Sequence, residues 1–242
     1  MKNYLSFGGG VNSVALHLML LDQGVNFEAV FVHHATDYPE TYNYLAGFQW
    51  WLKNNGHKPI TILRPNVDGR SSLYLYCRDQ RIIPSKMFRW CTDKFKTKVV
   101  TKYVQKPCFM MLGIDYGEAH RAKINYQKKI ENRFPLIEEK INRDACKEII
   151  TRNGLPLPIK SGCFICPFQK PNKIIDLRYN NTHLFCKAQL LETRAVDERI
   201  KNNKKPIYLF GSGSGQSIAS IIDEKQMVLW KEDEYPPCQC GL

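Results

Sequence analysis

Short apolar runs alternate with helical patterns over the first 155 residues of the chain. Runs rich in apolar and β-branched residues predict strands at 4–7, 29–33, 60–63, 109–112 and 134–137. Apolar residues at helical spacing predict helices between them, at 13–23, 39–54, 71–80, 92–104 and 144–153. This alternation indicates repeated β-α-β units. We therefore expect an α/β fold with a doubly wound, mainly parallel sheet of five strands.

The pattern changes after residue 154. Alternating leucine and proline at 155–158 break the rhythm, a helix is predicted at 182–202, and glycine and serine fill 211–215. The last part of the chain is too small to build an independent core. We therefore expect a main domain at 1–155 and a cysteine-bearing extension at 156–242 that packs on it.

Composition and charge narrow the class of protein and its partners. Of the 242 residues 43% are hydrophobic, yet no apolar run approaches the ~20 residues of a membrane span. The first predicted strand follows Met1 almost directly, which leaves no room for a signal peptide. We therefore expect a cytoplasmic protein without a membrane partner. A net charge of +12 favours an anionic partner, such as a nucleotide, a phosphosulfate, RNA or DNA.

The most informative segment lies between the first predicted strand and the first predicted helix. This glycine loop contains Ser6, Phe7, Gly8, Gly9, Gly10, Asn12 and Ser13. Glycines let the backbone turn tightly and let a phosphate approach the amides at a helix start, where Ser13 adds a hydroxyl. We interpret the loop as a phosphate site, with an ordinary glycine turn as the alternative. It lacks the lysine of the Walker loop and the third glycine of the dinucleotide fingerprint.

Nine cysteines are many for a protein expected in a reducing compartment, so clustered cysteines indicate metal or thiol chemistry. Cys163 and Cys166 form a Cys-x-x-Cys pair, and Cys238 and Cys240 form a Cys-x-Cys pair. Together they offer four thiolates for a zinc ion or an iron–sulfur cluster. A redox dithiol is the alternative. The isolated cysteines are predicted to be core residues: Cys77, Cys108, Cys146 and Cys186.

The glycine loop resembles the pyrophosphatase loop (PP-loop) of the adenine-nucleotide alpha-hydrolase superfamily, whose pattern is Ser-Gly-Gly-x-Asp-Ser. Asn12 stands where that pattern has aspartate, which removes one carboxylate from a possible metal site. Four later segments, up to Phe168, resemble motifs of the phosphoadenylyl-sulfate (PAPS) reductase-like family. The resemblance implies a Rossmann-like fold and an adenine nucleotide, either ATP or PAPS, with its phosphates or sulfate on the loop.

Two of these segments imply further contacts with the nucleotide. Asp37, before a Pro-Glu-Thr sequence, is expected to bind a ribose hydroxyl or to order a magnesium ion, with capping of the next helix as the alternative. Gly113 is expected to allow close approach of the adenine. Arg121 is expected to contact an anion, with an ion pair to Glu118 as the alternative.

A third segment resembles the family's Arg-x-Cys-(Cys/Thr)-x-x-x-Lys element. Arg89, Lys94 and Lys96 lie in it at helical spacing and imply a cationic face for phosphate or sulfate. A solvated basic helix face is the alternative.

Iron–sulfur members of the family bind a four-iron four-sulfur cluster through a Cys-Cys pair and a later Cys-x-x-Cys pair. Cys91 matches the second cysteine of the first pair, and Cys163 and Cys166 match the later pair. The fourth ligand is then expected from Cys238 or Cys240. Because the family's reductases end in Glu-Cys-Gly-(Leu/Ile)-His with a nucleophilic cysteine, Cys240 is either that nucleophile or a ligand, and we favour the ligand.

These features together predict an enzyme that uses ATP for sulfur transfer, with tRNA or DNA as the expected acceptor and a cysteine desulfurase as a possible partner. The candidate catalytic residues are Asp37, Lys94, Arg121 and Cys240. The first alternative is a PAPS or adenylyl-sulfate reductase that releases sulfite with thioredoxin. The second is a non-catalytic, zinc-stapled protein that binds nucleotide or nucleic acid, which Asn12 in place of aspartate would favour.

Overall fold

A five-stranded sheet forms the centre of the computed structural model, which describes residues 1–122, 129–159, 161–210 and 216–225. Its strands are β1 (Lys2–Ser6), β2 (Glu28–Val32), β3 (Thr61–Leu63), β4 (Cys108–Leu112) and β5 (Ile130–Arg133). They run in the order β3-β2-β1-β4-β5, and every neighbouring pair is parallel. The predicted α/β fold class is confirmed. Cys238 and Cys240 lie outside the described residues.

Helices connect the strands and extend beyond the sheet. They are α1 (Val11–Asp22), α2 (Pro39–Asn54), α3 (Leu73–Gln80), α4 (Trp90–Thr92), α5 (Lys98–Tyr103), α6 (Pro135–Glu138), α7 (Arg143–Arg152), α8 (Pro171–Asn180), α9 (Thr182–Lys201) and α10 (Ile218–Lys225). A π-helical turn, Asp93–Thr97, joins α4 to α5, and a 3₁₀ helix, Tyr116–Arg121, follows β4.

The fifth strand lies earlier in the chain than its predicted position at 134–137. That segment begins the short helix α6 instead, and the strand is Ile130–Arg133. Pro135 is in the first turn of α6, where its fixed φ suits a helix and its missing N–H costs nothing. The true strand is at the edge of the sheet and carries exposed Glu131 and Arg133, so it lacks the apolar signal of a buried strand.

Side chains of the strands alternate between the two faces of the sheet, and helices pack against them on both faces. Leu5, Phe31 and Met111 belong to a core cluster with residues of α1, α2 and α7. Tyr4 and Met110, one position away, belong to a second cluster with residues of α5. This alternation follows the period of two of a β-strand. Because both faces are covered, the fold is doubly wound, as predicted.

A separate apolar cluster joins α3 to the C-terminal helices α8, α9 and α10. Glu192 lies buried within it and accepts hydrogen bonds from the backbone N–H groups of Leu209 and Ile218, each at 2.7 Å. The carboxylate thereby ties α9 to the segments on both sides of 211–215. The domain boundary at residue 155 stays a prediction.

The isolated cysteines divide into two groups. Cys77, Cys108 and Cys146 are buried, as predicted for core residues, but Cys186 is exposed, so that prediction is wrong for it. Phe185 and Ala188 of the same helix face the core, which turns the intervening Cys186 towards solvent. Among the helices that the structure describes, none is long and apolar enough to cross a membrane.

Candidate functional site

The glycine loop lies where the sheet order changes direction. From β1 the chain continues to β2 and β3 on one side, and it later returns to β4 and β5 on the other. The loop follows β1, and Gly113 follows β4 directly, so both lie at the carboxyl ends of neighbouring strands. Ligands of open parallel sheets bind in the crevice at this switch point. The topology therefore places the predicted loop where a ligand site is expected.

Close packing explains why glycines occupy the loop. Gly9 has a φ of +73°, and a Cβ there would lie 3.1 Å from Cγ2 of Thr41. A Cβ on Gly10 would lie 2.8 Å from Oγ of Ser161. The loop is therefore held between the first turn of α2 and the segment that carries the Cys-x-x-Cys pair.

Gly113 contacts the loop itself. A Cβ on Gly113 would lie 2.9 Å from the backbone nitrogen of Ser13 and 3.0 Å from the carbonyl carbon of Asn12. The absence of a side chain therefore lets β4 approach the start of α1. This packing role was not predicted, and the contact with an adenine stays a prediction.

At the start of α1, backbone N–H groups rather than side chains are the donors suited to a ligand. Gly10 is the N-cap and makes no side-chain capping bond, and the first turn contains no acidic residue. The hydroxyl of Ser13 donates to the carbonyl oxygen of Gly10 at 2.9 Å, and its contact with an anion stays a prediction. The first N–H groups of a helix lack intrahelical acceptors and carry partial positive charge. They are suited to an anion.

Two buried oxygens at this loop lack hydrogen-bond partners among the described residues. They are Oδ1 of Asn12 and Oγ1 of Thr41, whose methyl group faces Gly9. The other side of the Asn12 amide is engaged, since Nδ2 donates to Oδ2 of buried Asp115 at 2.8 Å. An unsatisfied buried polar group costs about 1–3 kcal/mol, so each of these oxygens is a candidate for a bond to a ligand, an ion or a water.

Sequence reasoning missed Asp115 and Thr41 as site residues. Asp115 also accepts the backbone N–H of Glu118 through Oδ1 at 3.1 Å, which fixes its carboxylate beside the loop. Its position three residues after a predicted strand was the available signal. Arg121 forms the ion pair with Glu118 that was the alternative to an anion contact, at 2.5 Å. The anion contact stays a prediction.

Three cysteines, including the Cys-x-x-Cys pair, and two cationic side chains line one pocket. Cys91, Cys163 and Cys166 line it together with Arg89 and Lys96, and it is partly open to solvent. Lys94 is not among the residues that line this pocket, and its Nζ donates to the hydroxyl of Tyr76 at 2.9 Å. The three thiols are the soft donors that an iron–sulfur cluster needs, so they fit the cofactor implied by the resemblance.

Asp37 lies against Cys163 and the buried imidazole of His34. Its Oδ2 is 3.4 Å from Nε2 of His34, and its Oδ1 is 3.5 Å from Sγ of Cys163. Sγ is in turn 3.8 Å from Nε2 of His34. The helix cap was the alternative for Asp37, but Tyr38 is the N-cap of α2. Burial lowers the pKa of His34 to about 4 although Asp37 opposes the shift, so the imidazole is neutral at pH 7.

Backbone hydrogen bonds bring these residues together. Asp37 and Cys163 form an isolated antiparallel bridge, and the N–H of Phe164 donates to the carbonyl of Thr36 at 2.9 Å. The amide of Gln169 donates to the carbonyl of Cys163 at 2.8 Å. The segment 161–166 therefore leads from the glycine loop, at Ser161, to the cysteine pocket. His34 and Gln169 carried no recognisable sequence signal.

No protein-family model and no curated protein matches the chain. Among solved structures it is similar to a phosphoadenylyl-sulfate (PAPS) reductase from Candida auris in a phosphate complex, with 15% identity over 65% of this chain and 75% of that chain and a TM-score of 0.46. It is also similar to the U34-tRNA thiolase NcsA from Methanococcus maripaludis with its [4Fe-4S] cluster, with 12% identity over 97% and 84% and a TM-score of 0.43. Similarity at these identities and TM-scores assigns no residue, ligand or reaction to this chain. Its own topology is a doubly wound parallel sheet with a glycine loop at the switch point.

Proposed function

We propose that this protein is a PP-loop enzyme that binds ATP or a related adenine nucleotide and uses it for sulfur transfer, with nucleic acid as the acceptor. The observation that carries the proposal is the position of the glycine loop and the start of α1 at the switch point of the sheet, together with two buried oxygens there, on Asn12 and Thr41, that lack hydrogen-bond partners among the described residues. A triphosphate with its magnesium ion is the ligand that we assign to these groups.

Each group suits a different part of that ligand. The amides at the start of α1 donate to phosphate oxygens, and the hydroxyl of Thr41 can donate to another. Oδ1 of Asn12 is an acceptor, so it suits the metal ion that accompanies the phosphates rather than the phosphates themselves. Asp115 holds the amide in this orientation through its bond to Nδ2.

The cysteine pocket supports the sulfur half of the proposal. Attack of an acceptor oxygen on the α-phosphorus of ATP releases pyrophosphate and leaves an adenylated acceptor. A sulfur nucleophile then attacks the acceptor atom that carries the adenylated oxygen, and AMP leaves with that oxygen. The acceptor–sulfur bond that forms replaces the acceptor–oxygen bond that breaks. Arg89 and Lys96 line the pocket beside the thiols, and nearby cations favour the nucleophilic thiolate and the anionic acceptor. Catalytic roles for Asp37, Lys94 and Arg121 stay predictions.

The cofactor implied by the resemblance is a four-iron four-sulfur cluster. Cys91, Cys163 and Cys166 would hold it, and when bound it would supply an iron site that binds sulfide. Zinc on the thiols is the alternative, and the parts of Cys238 and Cys240 stay predictions. The nucleotide half of the proposal does not depend on which metal is present.

Calorimetric titration with magnesium ATP tests the nucleotide half. Loss of a hydrogen bond to a charged group costs about 1.5–3 kcal/mol, so Thr41→Ala should weaken ATP binding about tenfold or more. Thr182→Ala, at an exposed position at the start of α9, is the matched control and should bind like the wild type.

Turnover distinguishes the reactions. Release of pyrophosphate and AMP in the presence of tRNA or DNA and sulfide is expected. Release of sulfite from PAPS with thioredoxin, lost in Cys240→Ser, would establish the reductase instead. Failure to bind or turn over any adenine nucleotide would favour the non-catalytic alternative.

A further inference from the structure

Cys163 belongs to a second donor set besides the three pocket thiols. Within the part of the chain that the structure describes, His34, Asp37 and Cys163 form the one group of three His, Cys, Asp or Glu residues whose ligand atoms all lie within 4.8 Å of one another. The three atoms are an imidazole nitrogen, a carboxylate oxygen and a thiol sulfur. This mixed set is one that borderline divalent ions such as zinc accept.

The distances within the set are close to those between ligands of a single ion. Bond lengths of about 2.3 Å to sulfur and about 2.0–2.2 Å to nitrogen and oxygen give tetrahedral edges of about 3.3–3.6 Å. Nε2 of His34 lies 3.4 Å from Oδ2 of Asp37 and 3.8 Å from Sγ of Cys163, whereas Sγ lies 3.5 Å from the other carboxylate oxygen, Oδ1. With one oxygen of Asp37 as the ligand, all three atoms lie within 4.8 Å of one another, so rotation of the carboxylate and a small contraction would bring them onto one ion.

The surroundings fix the ligands in place. Oγ1 of Thr36 lies 2.7 Å from Nδ1 of His34, and a hydrogen bond there leaves Nε2 to face Asp37 and Cys163. Such an outer bond sets the tautomer of many metal-binding histidines. The backbone N–H of Asp37 donates to the hydroxyl of Tyr42 at 3.2 Å, and the backbone bridge between Asp37 and Cys163 joins the two strands of chain that carry the ligands.

Charge balance also favours an ion at this place. Sγ of Cys163 lies 3.5 Å from the buried carboxylate of Asp37, and a divalent cation bound by a thiolate and a carboxylate neutralises both, whereas the imidazole adds no charge. In the structure the thiol of Cys163 donates a hydrogen bond to Oδ1 of Asp37.

We propose that His34, Asp37 and Cys163 bind one divalent transition-metal ion, with zinc as the expected species, in protein that carries no iron–sulfur cluster. Three protein ligands leave a fourth position, and two of the three, His34 and Cys163, line the same pocket as Cys166. A cluster and the single ion would both need the Cys163 thiolate, so they exclude each other. The inference rests on this triad and is independent of the nucleotide half of the proposed function.

Cobalt(II) titration of the full chain, after chelator treatment under anaerobic and reducing conditions, tests the proposal. We expect one equivalent to bind with a thiolate charge-transfer band and the intense visible bands of a four-coordinate ion. Cys163→Ser, Asp37→Asn and His34→Asn should each weaken binding at least tenfold, whereas Cys91→Ser should retain the full equivalent. Circular dichroism of each variant shows whether it is folded, and Asp37→Asn is nearly isosteric with the native residue.

The opposite pattern would overturn the inference. Loss of cobalt in Cys91→Ser with retention in Asp37→Asn would assign the ion to the pocket thiols instead. No binding by folded wild-type protein would show that the triad is a hydrogen-bond network only. A parallel ATP titration keeps the two proposals apart, because Thr41→Ala should lose nucleotide affinity and keep its cobalt.

Discussion

At the scale of single residues, Asn12 shows how a departure from a motif is matched by its surroundings. The carboxylate that the PP-loop pattern has at this position is absent, but Asp115 brings a carboxylate to 2.8 Å from Nδ2 of Asn12. An amide at position 12 can donate to Asp115 and still offer Oδ1 to a ligand. An aspartate there would instead face a second buried carboxylate.

The first prediction follows from this pair. Asn12→Asp should destabilise the protein by about 1–3 kcal/mol and weaken magnesium ATP binding about tenfold, because two buried carboxylates would repel each other. The double variant Asn12→Asp with Asp115→Asn restores an amide opposite a carboxylate and should recover most of both losses. Thermal unfolding and calorimetric titration measure the two effects. Wild-type values in Asn12→Asp alone would contradict the pairing.

A second prediction concerns the pH dependence of stability and follows from the buried side chain of His17. It packs in α1 against the rings of Phe7, Phe27 and Phe48, and burial lowers its pKa to about 3. Between pH 6.5 and about 3 the unfolded chain therefore binds a proton that the folded chain does not. The free energy of unfolding should fall with falling pH in this window, by up to about 1.4 kcal/mol per pH unit from this group.

His17→Phe removes the titrating group and should flatten this dependence while it keeps the fold at pH 7. The ring fits an aromatic cluster, and the substitution also removes Nδ1, a buried atom without a hydrogen-bond partner among the described residues. His183→Phe is the matched control, since His183 is exposed. Denaturant unfolding from pH 4 to pH 7 measures the slopes, and equal slopes in wild type and His17→Phe would sink the explanation.

At the scale of elements, the end of β4 packs closely against the start of α1. The sheet register pairs Ser6 with Leu112, so the next residue of each strand leads into the crevice. Gly113 then lies against the backbone of Asn12 and Ser13. Two neighbouring strand ends therefore shape one loop, and no local sequence pattern describes that contact.

Gly113→Ala should consequently displace the loop. Its Cβ would lie 2.9 Å from a backbone nitrogen, which cannot move without the helix start, so we expect at least a tenfold loss of ATP affinity. Gly47→Ala, in α2, is the control because a Cβ there meets nothing within 4 Å. It should leave ATP affinity unchanged and stabilise the helix by about 0.5–1 kcal/mol. Unchanged ATP binding by Gly113→Ala would show that the loop adapts.

How accurately each helix or strand was predicted depended on how clear its apolar pattern is in the sequence. The helices with strong apolar spacing, α1, α2, α7 and α9, lie within about two residues of their predicted bounds. The strand β5 was misplaced because an edge strand with exposed charged residues gives no apolar signal. The helix α8 was not predicted, although Pro171 in its first turn was a legible start signal.

At the scale of the whole molecule, two segments serve both halves of the site. The stretch 34–41 carries His34 and Asp37 at one end and Thr41, beside Gly9, at the other. The stretch 161–166 likewise runs from Ser161, beside Gly10, to Cys166 in the pocket. An ion bound to Asp37 and Cys163 would fix both segments and thereby the walls of the glycine loop.

Binding of metal and nucleotide should therefore be coupled. We expect cobalt-loaded protein to bind magnesium ATP about fivefold or more tightly than chelator-treated protein, and ATP to tighten cobalt binding by the same factor, because linkage is reciprocal. Titrations of each ligand with and without the other measure the factor. The Asp37→Asn variant should lack the coupling. Identical ATP affinities with and without cobalt would indicate that the two halves are independent.

The sequence by itself determined the fold class, and it marked the glycine loop after β1 and the cysteine pairs as the predicted phosphate and metal sites. These conclusions follow from local patterns, since strand and helix periods, glycine conformation and Cys-x-x-Cys spacing are properties of neighbouring residues. Motifs likewise singled out Asp37 and five residues that the structure places around one pocket, namely Arg89, Lys96, Cys91, Cys163 and Cys166, and their roles stay predictions.

Only the tertiary structure decided which of these groups meet. It brought Asp115 to Asn12 across 103 residues, His34 and Asp37 to Cys163 across more than 120, and Gly113 to the start of α1. It also turned Lys94 to Tyr76 and Ser13 back to Gly10. The physical reason is that these contacts depend on sheet order and crossover paths, which set neighbours between distant segments and leave no trace in the local spacing of residues.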